Sequence, residues 1–298
     1  MLRLKHSMRE FLAYAPINRM MLSGADILPG QVWKRRIPPA LPHVLLKVSE
    51  SQSVLLSDPL RCSVAKEIYW GGGQLQRPQD RNALSAAITL AKSASTFLDI
   101  GAYTGIFALA AARVNPRLQA YAYEIVGQNF DLLCQNMLLN ELDEQVHPCL
   151  TAIAHERGEI RIPHAPSLGQ LATSVDISGT FGDGARIPMQ RLDDLHLDLR
   201  GPVVVKIDVE GFEMNVLDGG AAILEKHQPD IVCEVLRRSP RVPEMMETLR
   251  NLGYRWLHIQ EGGYARRNKI VADKLRRDWL LTCKNDSDLD ALGLKVID

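Results

Sequence analysis

The 298-residue sequence predicts an α/β protein with a doubly wound, mostly parallel sheet of seven strands, an antiparallel edge strand and an N-terminal extension. Three observations carry that expectation. In TFLDIGAYTGIFALAAA, Thr96–Ala112, an apolar run stops at Gly101 and a helix-like Ala/Leu run resumes after Gly105, which reads as strand, tight turn and helix. Strand and helix patterns then alternate through short connections, as in a parallel sheet covered on both faces. Two of the strands, VVVKIDV and DIVCEV, are rich in β-branched residues, as strands buried on both sides should be. Together these describe a Rossmann-like sheet.

In chain order, residues up to about 45 mix Pro and Gly with short apolar clusters and read as an arm or short helices. HVLLKVSE and SVLLSD look like short strands, and AKEIYWGGGQ leads to helical periodicity over Arg81–Lys92 through Leu84, Ala87, Ile88 and Ala91. The expected sheet strands are Thr96–Ile100, Leu118–Glu124, Val146–Ala154, Val203–Asp208, Asp230–Val235, Tyr254–Ile259 and Trp279–Cys283. The expected helices are Gly105–Arg113, Gln128–Asn140, Glu213–His227 and Val242–Leu252. Only a loop joins the last two strands, which suits the antiparallel edge. Residues 1–60 are assigned to the extension and 61–298 to the main domain. The long Gly/Ser/Thr-rich stretch 163–187 reads as a lid or acceptor-recognition loop, or else as a disordered insertion.

Lys+Arg and Asp+Glu are equal at 35 each, so the charge balance implies no nucleic-acid partner and no membrane field. The basic run WKRR, Trp33–Arg36, reads as a solvated face on the arm. No apolar run reaches the roughly 20 residues of a membrane helix. Arg9, Glu10, Pro16 and Arg19 interrupt any signal-peptide core. Five cysteines without CxxC pairing suit a reducing compartment, so the expected location is cytoplasmic.

A ligand is expected over the Asp99-x-Gly101-x-x-x-Gly105 turn, because nucleotides bind at the carboxyl ends of strands in open α/β sheets. The dinucleotide fingerprint G-x-G-x-x-G has Tyr103 where its second glycine belongs. Glu124 ends the next strand, about 20 residues on, where a carboxylate can accept hydrogen bonds from ribose hydroxyls. That pair of features describes a nucleoside site with little demand for phosphate.

The run VVVKIDVEGFEMNVLDGG, Val203–Gly220, concentrates Lys206, Asp208, Glu210 and Glu213 where a strand meets a helix. Lys206 and Asp208 share one face of the strand. Asp208 or Glu210 is the expected base or substrate hydrogen-bonding group, with Lys206 tuning their charge. Glu213 has a helix-capping alternative. Glu234 in VCEV could add a carboxylate, and Asp208, Glu210 and Glu234 could instead hold a divalent cation. His155 is a weaker candidate; Asp193 and Asp194 are expected to cap before the fourth strand. Tyr69, Trp70 and Phe181 could form an aromatic wall.

FLDIGAYTGIFALAAA, LLCQNMLLN, AIAHERGEIRI, MQRLDDL, VKIDVEGFEMNVLDGG and DIVCEV together resemble the FkbM-type S-adenosylmethionine-dependent methyltransferases, over about residues 60 to 285. The resemblance implies that Asp99, Gly101, Ala102, Tyr103 and Gly105 face the methionine half of the cofactor and Glu124 its ribose, with Ile125 also at the cofactor. Ala152 to His155 would lie near the adenine, where Thr151 and Ala-Ile-Ala stand in place of an acid common in such enzymes. Tyr103 stands where that family often has Asn. The implied activity is O-methylation of a hydroxyl on a sugar, glycan or secondary metabolite. Two other readings are a nucleotide- or NAD-binding Rossmann protein and a non-catalytic methyltransferase-like scaffold.

Overall fold

The computed structural model describes residues 11–12, 14, 16–18, 20–21, 39–163, 171–172, 184–237, 239–271 and 276–297. Trp33–Arg36, Phe181 and most of the 163–187 loop lie outside the described residues. An antiparallel hairpin, β1 (His43–Lys47) and β2 (Ser53–Ser57), turns the alternating Val44, Leu46, Val54 and Leu56 inward. Two helices follow. The Cys62 side chain caps α1 (Ser63–Trp70), and Pro78 opens α2 (Pro78–Ala91) ahead of the expected start, because proline suits a first helical turn.

The alternating part then runs β3 (Thr96–Ile100), α3 (Ile106–Val114), β4 (Gln119–Glu124), α4 (Gly127–Leu139) and β5 (Val146–Leu150). A small three-stranded sheet interrupts it: β6 (Ala152–Ile153), β7 (Gly158–Ile162) and β8 (Ala185–Gln190). The run expected as one strand over Val146–Ala154 therefore divides between two sheets. The main sheet resumes with β9 (Val203–Ile207), α5 (Glu213–Gly219), α6 (Ala221–His227), β10 (Asp230–Glu234), α7 (Val242–Asn251), β11 (Arg255–Gln260), β12 (Gly263–Arg266), β13 (Asp278–Thr282), α8 (Asp286–Ala291) and β14 (Val296–Ile297). The helix expected over Glu213–His227 is broken at Gly220 into α5 and α6.

Nine strands of the described residues form the main sheet, in the order β14-β12-β11-β13-β10-β9-β3-β4-β5. From β10 to β5 all pairs are parallel. The expected mostly parallel sheet is present, but it has nine strands and not seven, and its antiparallel strands lie inside the sheet and not at its edge. β13 is inserted between β10 and β11, antiparallel to both, and β12 and β14 extend the sheet beyond them. The sheet is dry on both faces. Phe97, Val204, Val232 and Leu280 join α2, α3 and the hairpin in one core, while Leu98, Val205, Ile231 and Leu281 join α5 to α7 in the other. Among the described residues no helix is long and apolar enough to cross a membrane.

The open edge of β2 is closed by the side-chain amides of Asn136 in α4 and of Asn140 at its C-terminal cap. Asn140 accepts from the Leu55 N–H at 2.8 Å and donates to the Leu55 carbonyl at 2.7 Å. Asn136, fully buried, accepts from the Ser57 N–H at 2.7 Å and donates to the Thr104 carbonyl at 3.0 Å. These residues lie one helical turn apart, so a single face of α4 replaces a missing strand. Replacing Asn136 by Ala leaves a buried N–H and a buried C=O unsatisfied, an expected loss of about 3 kcal/mol. Urea unfolding checks this, and a loss near zero would mean that water replaces the amide.

Candidate active site

Strand register assembles the site before any loop contributes. Asp99 pairs with Lys206 across β3 and β9, Lys206 with Val232 across β9 and β10, and Glu234 with Asp278 across β10 and β13. Side chains alternate along a strand, so Asp99, Lys206, Glu234 and Asp278 share the face of Phe97, Val204, Val232 and Leu280. A row of ionisable groups thus lies under α2 and α3 at the carboxyl ends of the parallel strands. Above it opens a cavity of about 950 Å³ that these residues line together with Gly101, Glu124 and Glu210.

At one end, β3 turns into α3 through two left-handed glycines. A Cβ on Gly101, at φ +83°, would sit 1.9 Å from the Asp208 carbonyl oxygen, so only glycine fits. Gly105, at φ +85°, caps α3, and a Cβ there would come within 2.3 Å of Leu133. Tyr103 is also left-handed, at φ +52°, a conformation asparagine tolerates better than a bulky side chain. Glu124 holds the turn in place. Its Oε2 accepts from the Tyr103 N–H at 2.7 Å, and its Oε1 from Ile125 and Val126 at 2.9 and 2.7 Å. The Asn129 side chain donates to it as well, so four donors hold the carboxylate. Burial pushes the Glu124 carboxyl up to about 7 against these donors. Asp99, buried and accepting from the Ala108 N–H at 2.9 Å, is likewise pushed up to about 7 by burial, with Lys206 opposing.

At the other end, carboxyl groups crowd around two cations. Lys206 Nζ lies 3.4 Å from Asp208, donates to the Ile207 carbonyl at 3.2 Å and sits 5.1 Å from the centre of the Phe107 ring. Burial works against its charge, but Asp208, Glu234 and Asp278 outweigh burial and hold the ammonium well above its ordinary value. Arg277 reaches Glu234 at 3.0 Å and also pairs with Asp80 of α2. A hydrogen bond joins Glu234 to Asp208. Burial and the Asp208 charge push Glu234 up to about 10. Burial also acts to raise Asp208, yet Lys206 and the Glu234 hydrogen bond keep it below the usual carboxylate range. The pair therefore shares a proton held on Glu234.

The remaining expected residues separate into two groups. Glu210, at φ +56°, lines the cavity from the turn after β9. Thr151 and Ala152 to Ala154 also line it, with the Thr151 hydroxyl donating to the Pro188 carbonyl at 2.8 Å. Trp70 faces the cavity and packs edge-on against Tyr69. His155 instead points outward to Asn215 at 2.9 Å. Glu213 is buried and accepts from the Gly211 N–H at 2.7 Å, which ties the turn before α5. Asp193 accepts from the Ala222 and Ile223 N–H groups and caps α6, not the approach to the fourth strand, while Asp194 pairs with Arg157 at 2.7 Å. One described residue of the 163–187 loop reaches the site: Asn129 donates to the Ala172 carbonyl at 2.9 Å, and Ala172 lines the cavity.

Asp80, Arg277 and Asp278 do not stand out in the sequence. The signal for the last two lies in strand direction: an antiparallel strand brings its first residues, not its last, to the carboxyl ends of its parallel neighbours. A divalent cation does not fit the Asp208–Glu234 pair. The carboxyls are joined to each other, and Lys206 and Arg277 occupy the positions a cation would take. Among the described residues no group of three or more His, Cys, Asp or Glu is arranged to hold a metal.

The doubly wound sheet, with a glycine turn and an acid row opening on one cavity, defines a class I methyltransferase fold. The methyltransferase FkbM domain model matches residues 99–256, more than half of the chain, and the chain belongs to that family. No curated protein matches it. Among solved structures, it is similar to a methyltransferase FkbM from Methylobacillus flagellatus KT, with 16% identity and a TM-score of 0.42, covering 63% of this chain and 43% of that one. It is also similar to a SAM-dependent O-methyltransferase from Thermotoga maritima (14% identity, TM-score 0.38, 78% and 74% covered). An O-methyltransferase from Bacillus cereus in complex with SAH follows (12% identity, TM-score 0.39, 69% and 80% covered). The chain thus spans less than half the length of the Methylobacillus protein.

The proton on Glu234 has a measurable consequence. The folded chain keeps it up to about pH 10, whereas the unfolded chain releases it near the ordinary 4.5. Native stability should therefore fall with rising pH across that window, and Glu234→Gln should remove this contribution. The melting-temperature difference, variant minus parent, should grow steadily from about pH 5 to about pH 9. A difference independent of pH would mean that Glu234 is ionised.

Proposed function

We propose that this chain is an S-adenosylmethionine-dependent methyltransferase that acts on a hydroxyl of a small-molecule acceptor, of the sugar, glycan or secondary-metabolite kind. One observation carries the reading: a carboxylate-pinned glycine turn and an ionised aspartate share a single cavity. The donor, when bound, supplies an electrophilic sulfonium methyl. Glu124 lines the cavity beside the turn and accepts from a ribose hydroxyl in place of the Asn129 amide. The Gly101–Gly105 turn, with Ala102, Tyr103 and Ile125 beside it, lines the methionine end, and Asp99 closes the floor beneath. Ala152 to Ala154 offer an apolar shelf for the base.

Asp208 is the group placed to take the acceptor's hydroxyl proton. Lys206 keeps it ionised, and the Glu234 hydrogen bond fixes its direction. Glu210 sits on the same rim, where it orients the acceptor. Displacement at a sulfonium depends on alignment, so holding both partners between β4 and β10 supplies much of the acceleration. The five free cysteines support a reducing, cytoplasmic setting.

Two outcomes are expected. Donor affinity should rise as pH passes upward through about 7, because the Glu124 carboxyl, pushed up to about 7 by burial, accepts best when ionised. Glu124→Gln should weaken uptake of S-adenosylhomocysteine about tenfold or more and flatten that profile in calorimetry. Asp208→Ala should lower methyl transfer in a radiolabel screen of hydroxylated acceptors by about 10²-fold or more while leaving donor affinity within about twofold. Full transfer by both Asp208→Ala and Glu210→Ala would remove the acid row from the chemistry.

A further inference from the structure

Asp278 carries a carboxylate oxygen that the fold leaves unused. The residue is 4% exposed and lines the cavity, yet its Oδ2 has no hydrogen-bond partner. The cation beside it, Arg277 Nε, stands 3.7 Å away, beyond hydrogen-bond reach. Four strand spacings separate β13 from β4, so Asp278 lies about 19 Å from the Glu124 end. That span leaves room for a second molecule beside a donor seated on Glu124.

The charges around this end select the second molecule. Eight carboxylic residues and four basic ones line the cavity. The cations are already engaged: Arg277 by Asp80 and Glu234, Lys206 by Asp208, and the rim residue Arg77 by Asp80 at 3.7 Å. Lys66 also lines the cavity, from α1. Glu67 holds the rim turn by accepting from the Gln76 and Arg77 N–H groups at 2.9 and 3.1 Å. A phosphate or carboxylate entering here would meet Asp80, Asp208 and Asp278 and would have to compete with them and Glu234 for Arg277 or Lys206 to gain a buried partner. A hydroxyl or an ammonium meets acceptors that are already in place.

Resting on the methyltransferase reading above, we infer that Asp278 and Asp80 form the acceptor-recognition end of the cavity, a subsite for hydroxyl or amine groups that excludes phosphorylated and carboxylated acceptors. Asp278 is then a specificity-determining residue, and sugar nucleotides are not its substrates. The acceptor is a neutral or amino-bearing polyol, presented without its phosphate.

Saturation-transfer NMR on the full chain loaded with S-adenosylhomocysteine tests this, with methyl β-glucoside, glucosamine, glucose 1-phosphate and glucuronate as probes. Signals are expected from the first two and none from the anions. Asp278→Asn should weaken the glucosamine signal by about tenfold or more. Signals from either anion, signals undiminished in the variant, or no signal from any probe would overturn the inference. If Asp278→Asn fails to fold, Asp80→Asn on α2 makes the same comparison. Calorimetric uptake of S-adenosylhomocysteine is measured on the same samples. If uptake is absent, the donor reading falls, and the four probes on unloaded protein still decide the role of Asp278.

Discussion

A lysine ammonium sunk into the middle of the sheet governs the layout of this site. Lys206 is 2% exposed and lies between β3 and β10, where little water reaches its charge. Such a charge survives only if carboxylates surround it. Strand register supplies them: Asp99 directly beside it on β3, Asp208 two residues on at the end of its own strand, and Glu234 and Asp278 on β10 and β13. These acids exceed what one ammonium can neutralise, so the cluster recruits Arg277 and retains a proton on Glu234. An apolar row here would pack as well at lower cost. Keeping charge in a dry sheet is expensive, and the expense is concentrated where the cavity opens.

The two ends of the cavity are mechanically joined. The space a Cβ on Gly101 would need is filled by the Asp208 carbonyl, and the Asp208 N–H donates to the Ile100 carbonyl at 2.9 Å. The turn beneath a donor and the proposed base therefore fix each other through backbone contacts. Glu124 clamps the same turn from β4, while Asn136 ties Thr104 of that turn to the hairpin strand β2. The N-terminal hairpin, whose apolar residues belong to the same core as α2 and α3, thus braces the turn from behind.

Much of this was legible in the sequence because the strongest signals are local. Apolar runs ending at Gly101, Glu124, Asp208 and Glu234 mark strand ends, and strand ends in such a sheet are where ligands bind. What stayed hidden depends on register or on distant partners. Asp278 opens its strand, and only knowing that β13 runs backward moves it into the site. Arg277 and Asp80 lie about 200 positions apart in the chain and meet only through folding. β12 and β14 are four and two residues long, too short for periodicity to register. Asn136 and Asn140 resemble ordinary polar positions on a helix until β2 is known to lie against them. Asp193 resembled a strand-side cap because the helix it serves begins almost thirty residues later.

The excess of acid also bears on turnover. An acidic, partly dry cavity holds a cation more tightly than a neutral molecule of the same shape. On the proposed reading, the reactant carries a sulfonium and the spent product a neutral thioether, so the two differ in charge far more than in outline. The same carboxylates that draw in the reactant lose much of their hold once the charge is gone. Lys206 and the Glu234 proton limit how negative the unloaded cavity becomes, which restrains its hunger for adventitious cations. Charge, more than shape, then separates what should enter from what should leave, and the sheet register that places Asp99, Lys206, Glu234 and Asp278 in one row sets that difference.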